Sequence, residues 1–214
     1  MPTRYEETFK NGFLAVLADR LTAEFPEEKK AIFKEIEKAT SDLMEENQTL
    51  IEDEQSHCHL AMTSLFLAAY RVLQGTVPDK TSLLDLLRFV FFEGQNWREG
   101  KNYIQSLLIE LDDSFASLVQ MSKDKEIQQY GKTFSFEHER DDDTAYFVNV
   151  ANCFYHNFFS AHGALELTPI FCDWDNVWGD ELKDGKHGTI FERPTTIGYG
   201  DDKCRFQFRR VKKD

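Results

Sequence analysis

The hydrophobic period changes once along this chain, and that change restricts the fold to a mixed one. Up to about residue 121 apolar residues recur at helical spacing. From Thr133 the segment Thr133-Phe134-Ser135-Phe136-Glu137-His138-Glu139 alternates apolar and polar, the pattern of a half-buried strand. Helices first, then a small antiparallel sheet with helices between its strands, predicts an α+β domain.

The helical portion reads as five segments. Phe9, Phe13, Leu17 and Leu21 form the stripe of a first helix, about 5–25, with Leu14 and Val16 beside it. Pro26 stands where a second helix begins, and that helix turns Ile32, Phe33, Ile36 and Leu43 toward a partner. Together they predict an amphipathic hairpin over residues 1–50, serving as a lid, a dimer arm or plain packing. Residues 51–214 are then the α+β domain. A third helix, about 54–74, stops at Gly75; its stretch Leu60 to Leu73 is apolar nearly all round and must be buried. A fourth starts at Pro78-Asp79-Lys80-Thr81 and runs through Phe92, closing near Gly94, and a fifth covers about 101–121. His57-Cys58-His59 opens the third helix, but neighbours about 100° apart cannot all reach one metal from one face, so these read as polar residues at a helix end.

Asp141-Asp142-Asp143-Thr144 is expected to cap a sixth helix. On its wheel Phe147, Val150, Ala151, Phe154 and Phe158 make a core face. The opposite arc, Asn149, Cys153, His156 and Ser160, is polar but uncharged, which predicts a pocket lining rather than a solvated face. Another helix is expected from Cys172 to Leu182. Strands are expected over 188–191, 195–199 and 205–211, the last two joined by a hairpin turn at Gly200-Asp201-Asp202-Lys203.

Composition limits the function. The formal charge of −13 argues against general binding to nucleic acid or to an anionic membrane, both of which need a basic surface. The basic tail, Arg209-Arg210-Val211-Lys212-Lys213, reads as a solvated terminus. With no apolar run of membrane-spanning length, and no apolar signal core after Met1-Pro2-Thr3, a cytoplasmic protein is expected. Its four cysteines are then thiols, reactive groups or metal ligands rather than disulfides. Three of those four, Cys153, Cys172 and Cys204, fall in the last third of the chain.

Several residues there could carry chemistry. Cys153 and His156 sit at i and i+3, where an imidazole can turn a thiol into a nucleophilic thiolate; the same pair also suits a buried Cys packed beside a hydrogen-bonded His. Asp173 and Asp175 could orient His156 or act as a general base, and Asp173 also fits as a helix N-terminal acid. Arg193, Thr195, Thr196 and Arg205 are candidate anion holders, since arginine grips a carboxylate with two parallel hydrogen bonds. Cys153, His156, Cys172 and Cys204 together would make a Cys3His set, a zinc combination.

The run from Cys153-x-x-His156 through Glu166-Leu167-x-Pro169-x-Phe171-Cys172-x-x-Asp175 to Arg193-x-x-Thr196-Ile197-x-x-Gly200-x-x-x-Cys204-x-Phe206-x-Phe208 resembles the L-2-amino-thiazoline-4-carboxylic acid hydrolase family. The resemblance covers roughly the last 65 residues strongly, the helix around Leu60 to Leu73 more loosely, and the hairpin hardly at all. It implies a hydrolase acting on a carbon–nitrogen bond of a cyclic amidine, whose namesake reaction opens a 2-amino-thiazoline ring to N-carbamoyl-L-cysteine, a step toward cysteine. Under it Cys153 attacks or directs water, with His156 as acid/base. Asp173 or Asp175 holds the amidinium, Arg193 with Thr195 or Thr196 holds the substrate carboxylate, and Asn149 lines the pocket. Cys172 and Cys204 pack behind, or join Cys153 and His156 around zinc or another divalent metal; the thiol version needs no cofactor. The expected partner is a small carboxylated substrate, and a homodimer is compatible with the hairpin. The rival classes are a small-molecule or metal-binding domain without turnover, and an accessory subunit docking through the hairpin.

Overall fold

The computed structural model describes residues 4–211, apart from the side chains of Arg4, Tyr5 and Val177. Met1–Thr3 and Lys212–Asp214, which bear on the signal-peptide and basic-tail expectations, lie outside the described residues. Helices α1 (Arg4–Glu24), α2 (Lys29–Glu46), α3 (Glu54–Leu73), α4 (Lys80–Gly94), α5 (Trp97–Glu110) and α6 (Ser114–Lys125) precede strands β1 (Ser135–Asp141) and β2 (Ala145–Asn152). Short helices α7 (Phe154–Ala161), α8 (Thr168–Asp173) and α9 (Asn176–Gly179) follow, then β3 (Thr189–Glu192) and β4 (Cys204–Arg210). The sheet is antiparallel in the order β1-β2-β4-β3, which makes the molecule α+β.

Helix α3 is central because its sequence has no polar face to give to water. Phe66 on it is fully buried and meets the rings of Phe13, Phe91, Phe159 and Phe171. Helix α2 lies along α3, while α1 lies against α4 and α3. The stripes Phe9, Phe13, Leu17, Leu21 and Ile32, Ile36, Leu43 join the same core. Helices α1 and α4 touch through glycine: a Cβ on Gly12 would stand 2.0 Å from the Gly94 carbonyl oxygen. Gly12→Ala is therefore expected to destabilise the fold by about 2–3 kcal/mol in a denaturant titration, because forced backbone separation outweighs the helix-propensity gain of about 1 kcal/mol.

Four expectations from the sequence are corrected. The predicted fifth helix is two, broken at Leu111-Asp112-Asp113, where the Asp113 carboxylate accepts from the Ala116 N–H at 3.0 Å and starts α6. The predicted sixth helix is mostly strand β2. Asp142 does not cap a helix; its Oδ1 accepts from the N–H groups of Thr144 and Ala145 at 2.8 and 3.0 Å and closes the β1–β2 hairpin. Residues 145–150, rich in Tyr, Phe and Val, then pair with β1 and β4 on both sides. A central strand reads as a continuous apolar run, which a short helix mimics. Finally, residues 195–199 form no strand: the sheet's last pairing is β3 with β4, and 193–203 is the loop between them. The expected 172–182 helix is likewise two short pieces, α8 and α9, followed by a 3-10 turn at Asp180–Leu182.

The residues of His57-Cys58-His59 point apart. His57 approaches Glu6 at 3.3 Å, while His59 is buried. The His59 Nε2 faces the Tyr130 carbonyl at 3.2 Å and so carries the proton, leaving Nδ1 to accept from the Tyr155 hydroxyl at 2.9 Å. Burial pushes its pKa down from 6.5 to about 4. Unfolding therefore takes up a proton between those values: the contribution to stability is complete above pH 6.5 and is lost as pH falls toward 4. The loss is expected to approach about 3 kcal/mol in denaturation midpoints across that range, and His59→Gln should flatten it.

At the chain's end Arg209 pairs with Glu192 and Arg210 with Asp113, so this part of the basic tail is strand β4 rather than a free terminus. Among the described residues no helix is long and apolar enough to cross a membrane.

Candidate active site

The sheet register places the first component of the site. Alternation along β2 and β4 turns Tyr146, Val148 and Val150 to one face, opposite Phe208, Phe206 and Cys204. That face packs on the helices, so Cys204, the first residue of β4, enters the interior. Asn149 falls on the other face of the same strand. Its amide donates to Glu139 Oε1 at 2.6 Å, away from the residues that Val150 and Cys204 meet.

Cys204 lines a chamber with Cys153, Cys172, Asp175 and Thr168, walled by rings that include Tyr155 and Trp174. Its cavity volume is about 90 Å³, several times the roughly 10–15 Å³ that one water needs. Cys153 arrives as the residue before α7, Thr168 and Cys172 on α8, and Asp175 on the turn between α8 and α9. Gly198 lets the β3–β4 loop close over this turn; a Cβ there would stand 2.7 Å from Cys172 Sγ and 3.2 Å from the Pro169 nitrogen.

The thiols differ in acidity. Burial pushes the Cys153 pKa up to about 12, against backbone N–H groups at the start of α7 that pull it down. Cys172 and Cys204 act on each other. The interaction between the two lowers the Cys204 pKa against the effect of burial, while the same interaction, together with burial, raises Cys172. The Ile197 N–H donates to Cys204 Sγ at 3.3 Å. Of the chamber's three thiols, Cys204 is the one drawn toward the thiolate, with a backbone N–H aimed at its sulfur.

Asp175 is the chamber's carboxylate. Its Oδ2 accepts from Arg193 Nη1 at 2.9 Å. The same nitrogen donates to the Cys172 carbonyl at 2.8 Å, and Nη2 donates to Asn176 Oδ1 at 3.3 Å. Arg193 is thus consumed in holding the α8–α9 turn, its side chain only 9% exposed. Asp175 keeps 24% of its side-chain surface accessible and lines the chamber. Burial raises its pKa in spite of Arg193 and, more distantly, Lys125.

The remaining candidates are placed elsewhere. Asp173 points out of the chamber, to Arg88 of α4 and the Tyr199 hydroxyl. His156 is not among the chamber's lining residues; its Nδ1 is buried without a hydrogen-bond partner, and burial lowers its pKa. The Thr195 hydroxyl donates to the Lys203 carbonyl at 2.9 Å and accepts from Arg205, while the Thr196 N–H binds Asp201. Arg205 itself pairs with Asp202 at 2.8 Å. These residues build the β3–β4 loop. For the zinc alternative, no group of three or more His, Cys, Asp or Glu side chains among the described residues is arranged to hold a metal ion.

Two lining residues had no functional reading from the sequence. Thr168 is 1% exposed, and its Oγ1 has no hydrogen-bond partner. An unpaired hydroxyl on a cavity wall is a ready contact for a ligand. Lys125 lines a second chamber that shares Asp175 with the first, and among the described residues it is the one Lys or Arg lining either of them. Neither stood out in the sequence.

The fold and chamber together describe a small α+β protein with a thiol pair and an Arg193-clamped carboxylate facing an aromatic-walled space. A family model described as L-2-amino-thiazoline-4-carboxylic acid hydrolase matches residues 58–208, and the chain belongs to that family. The match starts within α3 and leaves α1 and α2 outside it. Comparison with curated proteins and with solved structures finds no match.

Proposed function

We propose that the chain hydrolyses a small cyclic amidine in this chamber, the namesake thiazoline being the first substrate to test. The observation that carries the reading is Asp175. A carboxylate that lines an aromatic-walled cavity, with one oxygen clamped by Arg193, suits a planar amidinium. Membership of a family named for a hydrolase supports turnover rather than binding alone.

The residues accommodate a balanced route. The Cys204 thiolate adds to the amidine carbon, and the displaced π-electron pair settles on a ring nitrogen. The ring carbon–sulfur bond then breaks, and the departing sulfur takes the proton of Cys172. The substrate is left bound to Cys204 as an isothiouronium whose cation still faces Asp175. Water adds to the same carbon and gives one proton to Asp175. Expulsion of the Cys204 thiolate yields the N-carbamoyl product, its second proton returning to Cys172. The bond cleaved is carbon–sulfur, since the N-carbamoyl product keeps every carbon–nitrogen bond. With Arg193, Thr195, Thr196 and Arg205 engaged in the fold, Lys125 is the cation we assign to the substrate carboxylate.

Purified protein given the thiazoline, with the carbamoyl product followed by mass spectrometry, tests this reading. Absence of product would remove the namesake substrate. Intact thiazoline together with a raised melting temperature would identify a binding domain instead. Thr168→Val, which keeps shape and deletes the unpaired hydroxyl, is expected to lower kcat/KM about tenfold with the melting temperature unchanged or slightly higher.

A further inference from the structure

The second chamber lies on the far side of Asp175. Ile104 of α5, Leu118 and Met121 of α6, Val148 of β2, Trp178 of α9 and Phe208 of β4 line it, and its cavity volume is also about 90 Å³. Tyr130, Val150, Asp175 and Phe206 line both chambers, so the carboxylate stands in the partition. The other polar groups lining the second chamber are Ser122, Lys125 and Glu126. Its walls are mainly aliphatic and aromatic, and one larger side chain from α6 would fill it. The namesake thiazoline has only its carboxylate to send in this direction.

We infer that the substrate carries an apolar group, a ring or short branched chain, that occupies this second chamber while its amidinium rests on Asp175. The inference builds on the amidine reading above and narrows it. A cation at the partition and an apolar body beyond it match the order of surfaces met: carboxylate first, then aliphatic and aromatic walls. The contact would also reward a substrate larger than one five-membered ring, because burial of apolar area scales with the atoms added.

Acetamidine and benzamidine separate the two ideas, since both present the same cation and differ in an apolar ring. Isothermal titration of the full chain is expected to show benzamidine binding at least about tenfold tighter than acetamidine. Leu118→Trp, which fills the second chamber, should bring the ratio to within about twofold; Val148→Phe fills it from the sheet side if the first variant does not fold. Acetamidine bound with benzamidine no tighter, or a ratio that neither filling changes, overturns the inference and leaves the amidine reading standing. Binding of neither amidine overturns both.

Discussion

Cys204→Ser is expected to lower kcat/KM for the thiazoline by about a thousandfold, a loss near 4 kcal/mol of transition-state stabilisation. The argument rests on where the negative charge settles among three thiols. Cys204 interacts with Cys172 and accepts from the Ile197 N–H, and both lower its pKa against burial. A serine hydroxyl in the same place stays protonated and cannot act as the thiolate does. Cys153→Ser is the matched control: its thiol is pushed up to about 12 by burial and is neutral near pH 7. That change should cost less than about tenfold. Mass-spectrometric mapping after brief iodoacetamide treatment should find Cys204 modified before Cys153. The opposite pattern, a critical Cys153 and a tolerant Cys204, would return the nucleophile to the start of α7.

Asp175→Asn is the second large effect, expected to reduce kcat/KM by about a hundredfold to a thousandfold. The amide keeps the side chain's shape and one oxygen for Arg193, but it neither balances an amidinium nor takes a proton from water. Some stability goes with it, about 1–3 kcal/mol, because Arg193 loses its charged partner and is left with neutral acceptors: the amide oxygen, the Cys172 carbonyl and Asn176. Assays belong well below the variant's melting temperature. Arg193→Met provides a readout that a purely structural role would not give. Arg193 holds the Asp175 pKa down against burial, so removing it lets that pKa rise. The limb of the pH–rate profile on which activity needs ionised Asp175 should then move to higher pH. An unshifted limb would separate Asp175 from the chemistry.

Much of the helical half was legible in the residues. The stripe Phe9, Phe13, Leu17, Leu21 is the buried face of α1, and Leu60 to Leu73 is the buried middle of the fold. These patterns survive because a helix's facing side is set by spacing alone. The break at Leu111-Asp112-Asp113 was missed because apolar residues on both sides keep helical spacing, and only the capping carboxylate reveals the restart. Strand β2 was missed for a related reason: its first residues place Phe147, Val150 and Ala151 on one arc of a helical wheel, yet they alternate between faces in the sheet.

The site shows the same division. The last third of the chain was marked as chemical by its cysteines and acids, and three of those cysteines and one of the two acids do meet around one chamber. The partner assigned to Cys153 does not enter it. His156 was chosen because i and i+3 are adjacent on a helix surface, but Cys153 is the residue before α7, with an extended backbone, so the spacing no longer implies contact. The arginines and threonines read as anion holders carry the right donors, but Arg193, Arg205 and the Thr195 hydroxyl bond within the fold.

What the sequence determined by itself is the kind of molecule: α+β, thiol-rich toward its end, built on one helix that is apolar nearly all round from Leu60 to Leu73. Those properties follow from local periodicity and composition, which act before any long-range contact forms. Which thiol is the acidic one, which carboxylate faces the cavity, and which cations stay available were decided by tertiary structure. Cys172 and Cys204 lie 32 positions apart, and their meeting depends on the register of β4 against β2 and on the β3–β4 loop approaching α8 at Gly198. Acidity in that setting is a property of neighbours and burial, and neither is written into the spacing of the residues that share it.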